Sequence, residues 1–321
     1  MSALARAAVR TVASPCPVCG ARDGDVVLRA PAQLARIDQE FAFVRCAACN
    51  LTYLRDRVPP EDLARIEGDA GYVLHRGPSA WGPFAPLVRK DLASTDRARV
   101  ERVTGARRVS PGELVVDLGC GTPTFLAALR RATHARALGL EVVKPDEPLE
   151  DAGVELLVAP AGEWPERLRA LPPVAAFTLW HALEHDPQPL ATLRWMRERL
   201  APDGVVVIEV PDATGDTARW MGAYWPGYHT PRHASVFTPE TLRGTVERAG
   251  YRVVTHERRG TLPPYTLLAL GALDRAGLRF DARTTPAVFP LWAAGYALGY
   301  PAFGRREREG MGLQTVVLRA R

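Results

Sequence analysis

Apolar residues in this chain gather into short β-branched runs separated by longer amphipathic or charged stretches. Leu114-Val-Val116 is the first clear run, suited to a central strand buried on both faces. Asp117 closes it, and Gly119 and Gly121 follow as a tight turn before helical spacing resumes at Thr122 to Leu126. Arg136-Ala-Leu-Gly-Leu-Glu141 reads as a second strand ending in an acid. Val154 to Val158 is a third, leading to Ala161-Gly162-Glu163, and Val174 to Trp180 a fourth. An amphipathic stretch then runs to Leu200, and Asp203-Gly204 turns the chain into a fifth run, Val205 to Val210. Strands alternating with helical patterns at this spacing predict an α/β fold with a doubly wound, mostly parallel sheet covered on both faces.

Open sheets of this kind bind ligands beyond the carboxyl ends of their strands. The glycine turn has two readings there: a tight βα connection, or a loop that approaches a ligand while amides of the next helix receive a carboxylate or phosphate. Glu141, about twenty residues on, stands where an acid takes ribose hydroxyls in dinucleotide-type folds.

The cysteines read as a metal module. Cys16/Cys19 and Cys46/Cys49 are two C-x2-C knuckles separated by 26 residues. Four converging thiolates complete a closed tetrahedral zinc shell whose role is structural, because no position is left for water. Val26-Val-Leu28 and Phe41 to Val44 are predicted strands between the knuckles, and a redox dithiol or unpaired core cysteines are the alternatives. Cys120, inside the glycine turn, reads as a small packing residue.

Asp117-Leu-Gly-Cys-Gly121, Glu141, Leu183-Glu-His185, Asp203-Gly204, Pro231-Arg-His233, Phe237-Thr-Pro-Glu-Thr-Leu242 and Ala249-Gly-Tyr251 together resemble the class I S-adenosylmethionine (SAM)-dependent methyltransferases. The resemblance implies a Rossmann-like sheet, with Gln314 to Arg319 as an antiparallel last strand, and SAM as cofactor. It places Asp117, Gly119, Cys120 and Gly121 at the methionine end, Glu141 on the ribose, Glu163 near the adenine edge and Trp180 in the same cleft. Pro123 departs from the family pattern: it stands where a small residue is usual and removes one backbone donor. The four-cysteine module resembles that of bacterial enzymes of natural-product and polysaccharide pathways, and also that of ribosomal-RNA guanine methyltransferases. Pro231-Arg-His233 favours the former.

Methyl transfer requires acceptor, methyl carbon and sulfur in line and water excluded. A hydroxyl or acidic carbon acceptor also needs a base, and histidine suits neutral pH. His181 and His185 follow the fourth strand, whereas His229 and His233 lie in the loop after the fifth. The resemblance ranks His233 first as the base and His185 second; Glu184 orients a neighbouring histidine or caps a helix. Residues 220–233 are unusually aromatic for a loop, so Tyr224, Trp225 and Tyr228 are expected to wall an acceptor pocket.

The expected organisation is a zinc module over 1–55, a helical linker or lid over 56–108 with Tyr72 facing the acceptor, and a core over 109–321 with an insertion at about 261–311. Residues 284–303 carry no charge, and Phe289, Trp292, Tyr296, Tyr300 and Phe303 share one helical face. Pro286, Pro290, Gly295 and Gly299 argue against a membrane span. Three readings stay open: a helix packed on the core, a lid whose Trp292 and Tyr296 meet an apolar acceptor, or a peripheral membrane contact backed by Arg305, Arg306 and Arg308.

At 321 residues with 47% hydrophobic and 24% charged, the chain can bury a full core and a small module. Its net charge of +5 is spread over scattered arginines. On the cysteine module Arg22, Arg29, Arg36 and Arg45 are offset by Asp23, Asp25, Asp38 and Glu40, which disfavours RNA as a partner. The first fifteen residues hold no apolar leader, so a cytoplasmic location is expected. The expected function is SAM-dependent O- or C-methylation of a small or lipid-like metabolite; RNA methylation and a non-catalytic scaffold are the alternatives.

Overall fold

The computed structural model describes residues 9–33, 37–59, 62, 77–145, 153–277, 290, 293–295, 297 and 309–321. Tyr72, Trp292, Tyr296 and Arg305, Arg306 and Arg308 lie outside the described residues, as does most of the 284–303 stretch.

Thirteen strands lie among the described residues. The first five are β1 (Val12–Ala13), β2 (Gly24–Pro31), β3 (Glu40–Cys46), β4 (Thr52–Leu54) and β5 (Asp56–Arg57). Five more form the predicted parallel series: β6 (Leu114–Leu118), β7 (Arg136–Glu141), β8 (Glu155–Val158), β9 (Val174–Trp180) and β10 (Leu200–Pro211). The last three are β11 (Ser235–Val236), β12 (Tyr251–Glu257) and β13 (Leu313–Ala320).

The seven-stranded sheet has the order β12-β13-β10-β9-β6-β7-β8. Strands β6 to β10 pair in parallel, whereas β13 runs antiparallel to both β10 and β12. This is the α/β doubly wound sheet that the alternating pattern predicts, with the antiparallel last strand that the resemblance implies. Every residue of β6 and β9 is buried, because helices cover both faces. Alternate residues feed the two cores. Val115, Val205 and Val207 pack with Val103, Phe125, Leu126 and Leu129, from helices Ala85–Ala106 and Thr124–Thr133. Val116, Val206 and Ile208 pack with Leu193, Met196, Leu242 and Val246, from helices Pro189–Arg199 and Pro239–Arg248. Asp203-Gly204, read as a turn before the fifth run, lies inside β10, where pairing with β9 slips between Leu200 and Val205.

The cysteine module forms an antiparallel sheet of order β11-β4-β3-β2. It runs past the expected boundary at residue 55: β1 pairs with β5, and Ser235 of β11 pairs with Tyr53 of β4. A second core joins the two regions, combining Ile37, Phe41, Phe43 and Leu54 with Ala218, Trp225 and Val236. The loop carrying His229 and His233 is therefore built on the N-terminal sheet as well as on the methyltransferase-like core. No helix among the described residues is long and apolar enough to cross a membrane.

Candidate active site

The glycine turn lies at the carboxyl end of β6. Gly119 and Gly121 adopt left-handed φ values of 68° and 53°, a region costly for side chains with a Cβ. A Cβ on Gly121 would meet nothing within 4 Å, whereas one on Gly119 would stand 2.9 Å from the Ala182 Cβ. The turn thus opens on one side and touches the histidine segment on the other. Glu141, at the end of β7, accepts from the Gly121 amide at 2.8 Å and from the Val142 amide at 2.7 Å. Pro123 is the N-cap of helix Thr124–Thr133, where a missing N–H costs little.

Asp117 is buried beneath the turn and accepts a 2.6 Å hydrogen bond from the Thr178 hydroxyl of β9. Burial pushes its carboxyl up to about 7, against the Thr178 hydrogen bond and the charge of Arg99. Arg99 reaches the cleft from helix Ala85–Ala106; its guanidinium lies 5.1 Å from the Trp180 ring centroid and its Nε donates to Thr261. Two buried polar atoms at this edge, Trp180 Nε1 and Thr122 Oγ1, have no hydrogen-bond partner. Open space over Gly121, unsatisfied donors and a buried acid form a cradle that fits a polar, cationic ligand. Glu163 sits farther out, in an exposed ion pair with Arg167 at 2.7 Å.

Beyond β9 the chain enters the short 3-10 turn Leu183–His185. His181 Nε2 lies 3.0 Å from Glu209 of β10, and its Nδ1 lies 3.6 Å from Glu184. Burial alone would lower the His181 pKa, but the two carboxylates raise it to about 9. Glu209 is driven the other way: burial opposes ionisation, yet His181 and the Thr261 hydrogen bonds hold it at about 2. Across from them His185, His229 and His233 present ligand atoms that all lie within 4.8 Å of one another. The His233 ring stands perpendicular to that of His185, with centroids 4.4 Å apart.

The methyltransferase-domain family model matches residues 93–256, which run from helix Ala85–Ala106 into β12 and take in the glycine turn and the four histidines. A curated relative, the 4-amino-L-phenylalanine/4-methylamino-L-phenylalanine methyltransferase of Streptomyces pristinaespiralis, is 30% identical over 216 residues, covering 53% of this chain and 71% of the relative. The chain is a class I SAM-dependent methyltransferase. Solved structures with a similar arrangement include a Mycobacterium tuberculosis cyclopropane synthase (TM-score 0.48, 15% identity, covering 70% of this chain and 83% of that one). Another is a Geobacter sulfurreducens SAM-dependent methyltransferase in complex with S-adenosylhomocysteine (TM-score 0.44, 18% identity, 70% and 91%).

In this methyltransferase the expected site residues divide. Asp117, Gly119, Cys120, Gly121, Glu141 and Trp180 gather at one sheet edge, with the four histidines and Glu184 alongside. One expectation needs correction. Trp225 does not wall a pocket: it is fully buried, packs edge-on against Tyr228 at 5.2 Å, and donates from Nε1 to Thr217 at 3.0 Å. The aromatic loop spends this ring on the core shared with β3. His181 is raised to about 9 by the two carboxylates beside it, above the range of an ordinary imidazole. His233 is displaced in the opposite direction, with burial lowering it to about 3. Tyr224 and Tyr228 are half-buried, and Tyr228 lies 5.0 Å from the Phe43 ring.

Arg99, Thr178 and Glu209 escaped the sequence reading. Glu209 carried a signal, an acid inside Val205-Val-Val-Ile-Glu-Val210, since a carboxylate in a buried strand needs a partner. Arg99 carried none, because only tertiary packing brings its helix over the sheet.

The cysteine cluster lies away from this edge, in the N-terminal module. Cys16 and Cys49 sulfurs stand 3.5 Å apart and Cys19 and Cys46 sulfurs 3.4 Å apart. All four lie within 4.8 Å of one another as free thiols. A tetrahedral shell with bonds of about 2.3 Å places sulfurs roughly 3.8 Å apart, so the donor set fits zinc.

Proposed function

We propose that this methyltransferase transfers the methyl group of SAM to a small-molecule acceptor docked between the histidine cluster and the half-buried tyrosines of the 224–233 loop. Bound SAM supplies an electrophilic sulfonium methyl. Asp117 and the Gly119–Gly121 turn hold its methionine end, Glu141 exchanges its amide hydrogen bonds for the ribose hydroxyls, and Trp180 with Arg99 lines the cleft. The reading rests above all on one observation: Ala182, next to His181, abuts Gly119, so the histidine-bearing segment borders the cofactor turn.

A small acceptor agrees with the relative that methylates an amino-substituted phenylalanine, and with an N-terminal sheet occupied in buttressing the acceptor loop. Activation of the acceptor falls to the histidine cluster. His181 serves as a cationic donor and Glu184 as the acid that orients its neighbours. The cysteines hold one structural zinc ion that fixes the module beneath that loop.

Calorimetric titration with SAM and S-adenosylhomocysteine tests the cofactor site, with Asp117→Asn as control. Micromolar binding weakened in the variant supports it; equal binding in both refutes the assignment. Methyl transfer from radiolabelled SAM to aromatic amino acids, phenols and deoxysugar nucleotides, run beside bulk RNA, tests the acceptor class. Transfer to RNA alone overturns it.

A further inference from the structure

The histidines do more than line a pocket. We infer that His185, His229 and His233 form a second metal site, separate from the cysteine cluster, that binds a divalent first-row transition ion through three imidazole nitrogens. The three residues come from two loops, the turn Leu183–His185 after β9 and the loop before β11, and their ligand atoms converge to within 4.8 Å. A tetrahedral ion with Zn–N bonds of about 2.0–2.1 Å requires nitrogens roughly 3.4 Å apart, so binding would draw the three rings inward.

Three further observations fit a ligand set. His233 Nδ1 lies 2.8 Å from the Gly227 carbonyl; a carbonyl only accepts, so Nδ1 carries the proton and Nε2 keeps its lone pair. This is the hydrogen bond by which metal-binding histidines are aimed. Glu184 is 1% exposed, neither of its carboxylate oxygens accepts a hydrogen bond, and Oε1 lies 4.0 Å from His233 Nε2. The same oxygen lies 3.6 Å from His181 Nδ1, so the buried carboxylate stands between the His181 ring and the cluster and would offset part of the charge of a cation placed among the rings. Finally, His229 adopts a left-handed φ of 35°, and its ring stands 5.0 Å from that of His233 and 5.8 Å from that of His185.

Imidazole donors select Zn, Fe, Ni or Cu over Mg or Ca, and three protein ligands leave a fourth position open. On the reading that the acceptor docks here, an acceptor oxygen takes that position and loses its proton to water at neutral pH. The resulting oxyanion, or the carbon conjugated to it, forms the bond to the methyl carbon as the carbon–sulfur bond breaks and its electron pair stays on sulfur. The ion then takes the place of an imidazole base. His229 and His233 are buried and His185 is part-exposed, so His185 faces the side from which acceptor and ion enter.

Untagged full-length protein is titrated with Co(II) and Zn(II), and bound metal is counted by elemental analysis after dialysis. Two equivalents per chain are expected. The first gives the sulfur-to-metal charge-transfer absorption of a thiolate site, and the second adds ligand-field bands without it. His185→Ala and His229→Gln should each weaken the second equivalent at least tenfold while leaving the first equivalent and SAM affinity intact. A single equivalent in the wild type overturns the site, as does a second equivalent that survives in both variants. Loss of SAM affinity from the wild type would strike the cofactor reading instead, and leaves the metal count to decide this one.

Discussion

The backbone N–H of Gln33 donates to the carbonyl of Thr230 at 2.9 Å, joining the cysteine module to the acceptor loop across nearly two hundred residues of sequence. The Gln33 side chain donates to the Trp225 carbonyl at 3.2 Å, and Arg232 donates back to the Gln33 carbonyl at 3.2 Å. Gln33 is therefore a clasp that holds both ends of the 225–232 segment. Replacing it with alanine deprives the Trp225 carbonyl of its donor, at a cost of about 1–3 kcal/mol. The expected outcome is a lower Tm and a raised acceptor KM, with SAM affinity unchanged because the cofactor turn lies on another part of the sheet. Equal losses of SAM and acceptor affinity would show that the clasp supports the fold at large.

Trp225 separates packing from recognition. Its ring belongs to the core with Phe41, Phe43 and Leu54, so Trp225→Ala should lower stability by about 3–5 kcal/mol. Chemical denaturation reads this directly. In a temperature range where the variant stays folded, acceptor KM should move far less than for Tyr228→Ala, whose half-buried ring packs on the same core but precedes His229 directly. A selective KM effect with wild-type stability would return Trp225 to the pocket wall.

These two aromatics show how far the sequence reaches. The parallel strands were legible because each is buried on both faces, so Leu114-Val-Val116 and Val205 to Ile208 are continuous apolar runs with little competing pattern. The glycine turn, its acid and the placement of four histidines at one sheet edge follow from strand order alone. Which aromatics face the acceptor does not follow. Trp225 is buried by residues of β3 far earlier in the chain, and nothing local distinguishes it from Tyr228. The histidines raise the same difficulty: His181 and His233 look alike in sequence, yet one is flanked closely by two carboxylates, and the other by a carbonyl, neighbouring rings and a more distant Glu184.

The cofactor turn has its own prediction. Gly119→Ala introduces a Cβ at φ 68°, aimed at Ala182 Cβ from 2.9 Å. The left-handed backbone costs about 1–2 kcal/mol, and relief of the clash displaces the segment that leads to His185. SAM affinity and kcat should both fall, with kcat falling further because the histidine segment moves as well. Gly121→Ala carries the same left-handed cost at φ 53°, but its Cβ meets nothing within 4 Å in the protein, so it should lose less stability than Gly119→Ala and act on SAM affinity. Comparison of the two by calorimetry and steady-state kinetics distinguishes the Ala182 clash from ligand contact.

Asp117 links SAM affinity to pH. Its folded pKa near 7 lies above the ordinary 3.8, so below neutrality the free protein holds the carboxyl protonated. If the carboxylate receives the SAM ammonium, binding favours the ionised form and releases that proton. Affinity should then rise with pH up to about 7 and level off above it, with a slope approaching tenfold per unit on the acid side. Asp117→Asn should bind more weakly at pH 8 and lose the slope. A wild-type affinity that is flat from pH 5.5 to 8 would place Asp117 outside the ligand's reach.

The His181–Glu209 pair makes stability depend on pH in a defined window. His181 is raised from 6.5 to about 9 by Glu184 and Glu209 acting against burial, so its contribution is fully present below about pH 6.5 and declines as pH rises through 9. Glu209 is lowered from 4.5 to about 2, so its share holds above about pH 4.5 and is lost as pH falls through 2. Between pH 6.5 and 9 the folded protein carries a proton that the unfolded chain releases, and unfolding free energy should fall by on the order of 3 kcal/mol across that range. Charges near Glu209 include Arg99, which keeps it ionised throughout. His181→Gln removes the titrating group and leaves Glu209 with its Thr261 and Thr315 donors. The variant should be less stable than wild type at pH 6 and approach it by pH 9. Urea midpoints measured at half-unit steps check this; parallel curves for the two proteins would mean that His181 does not hold the proton.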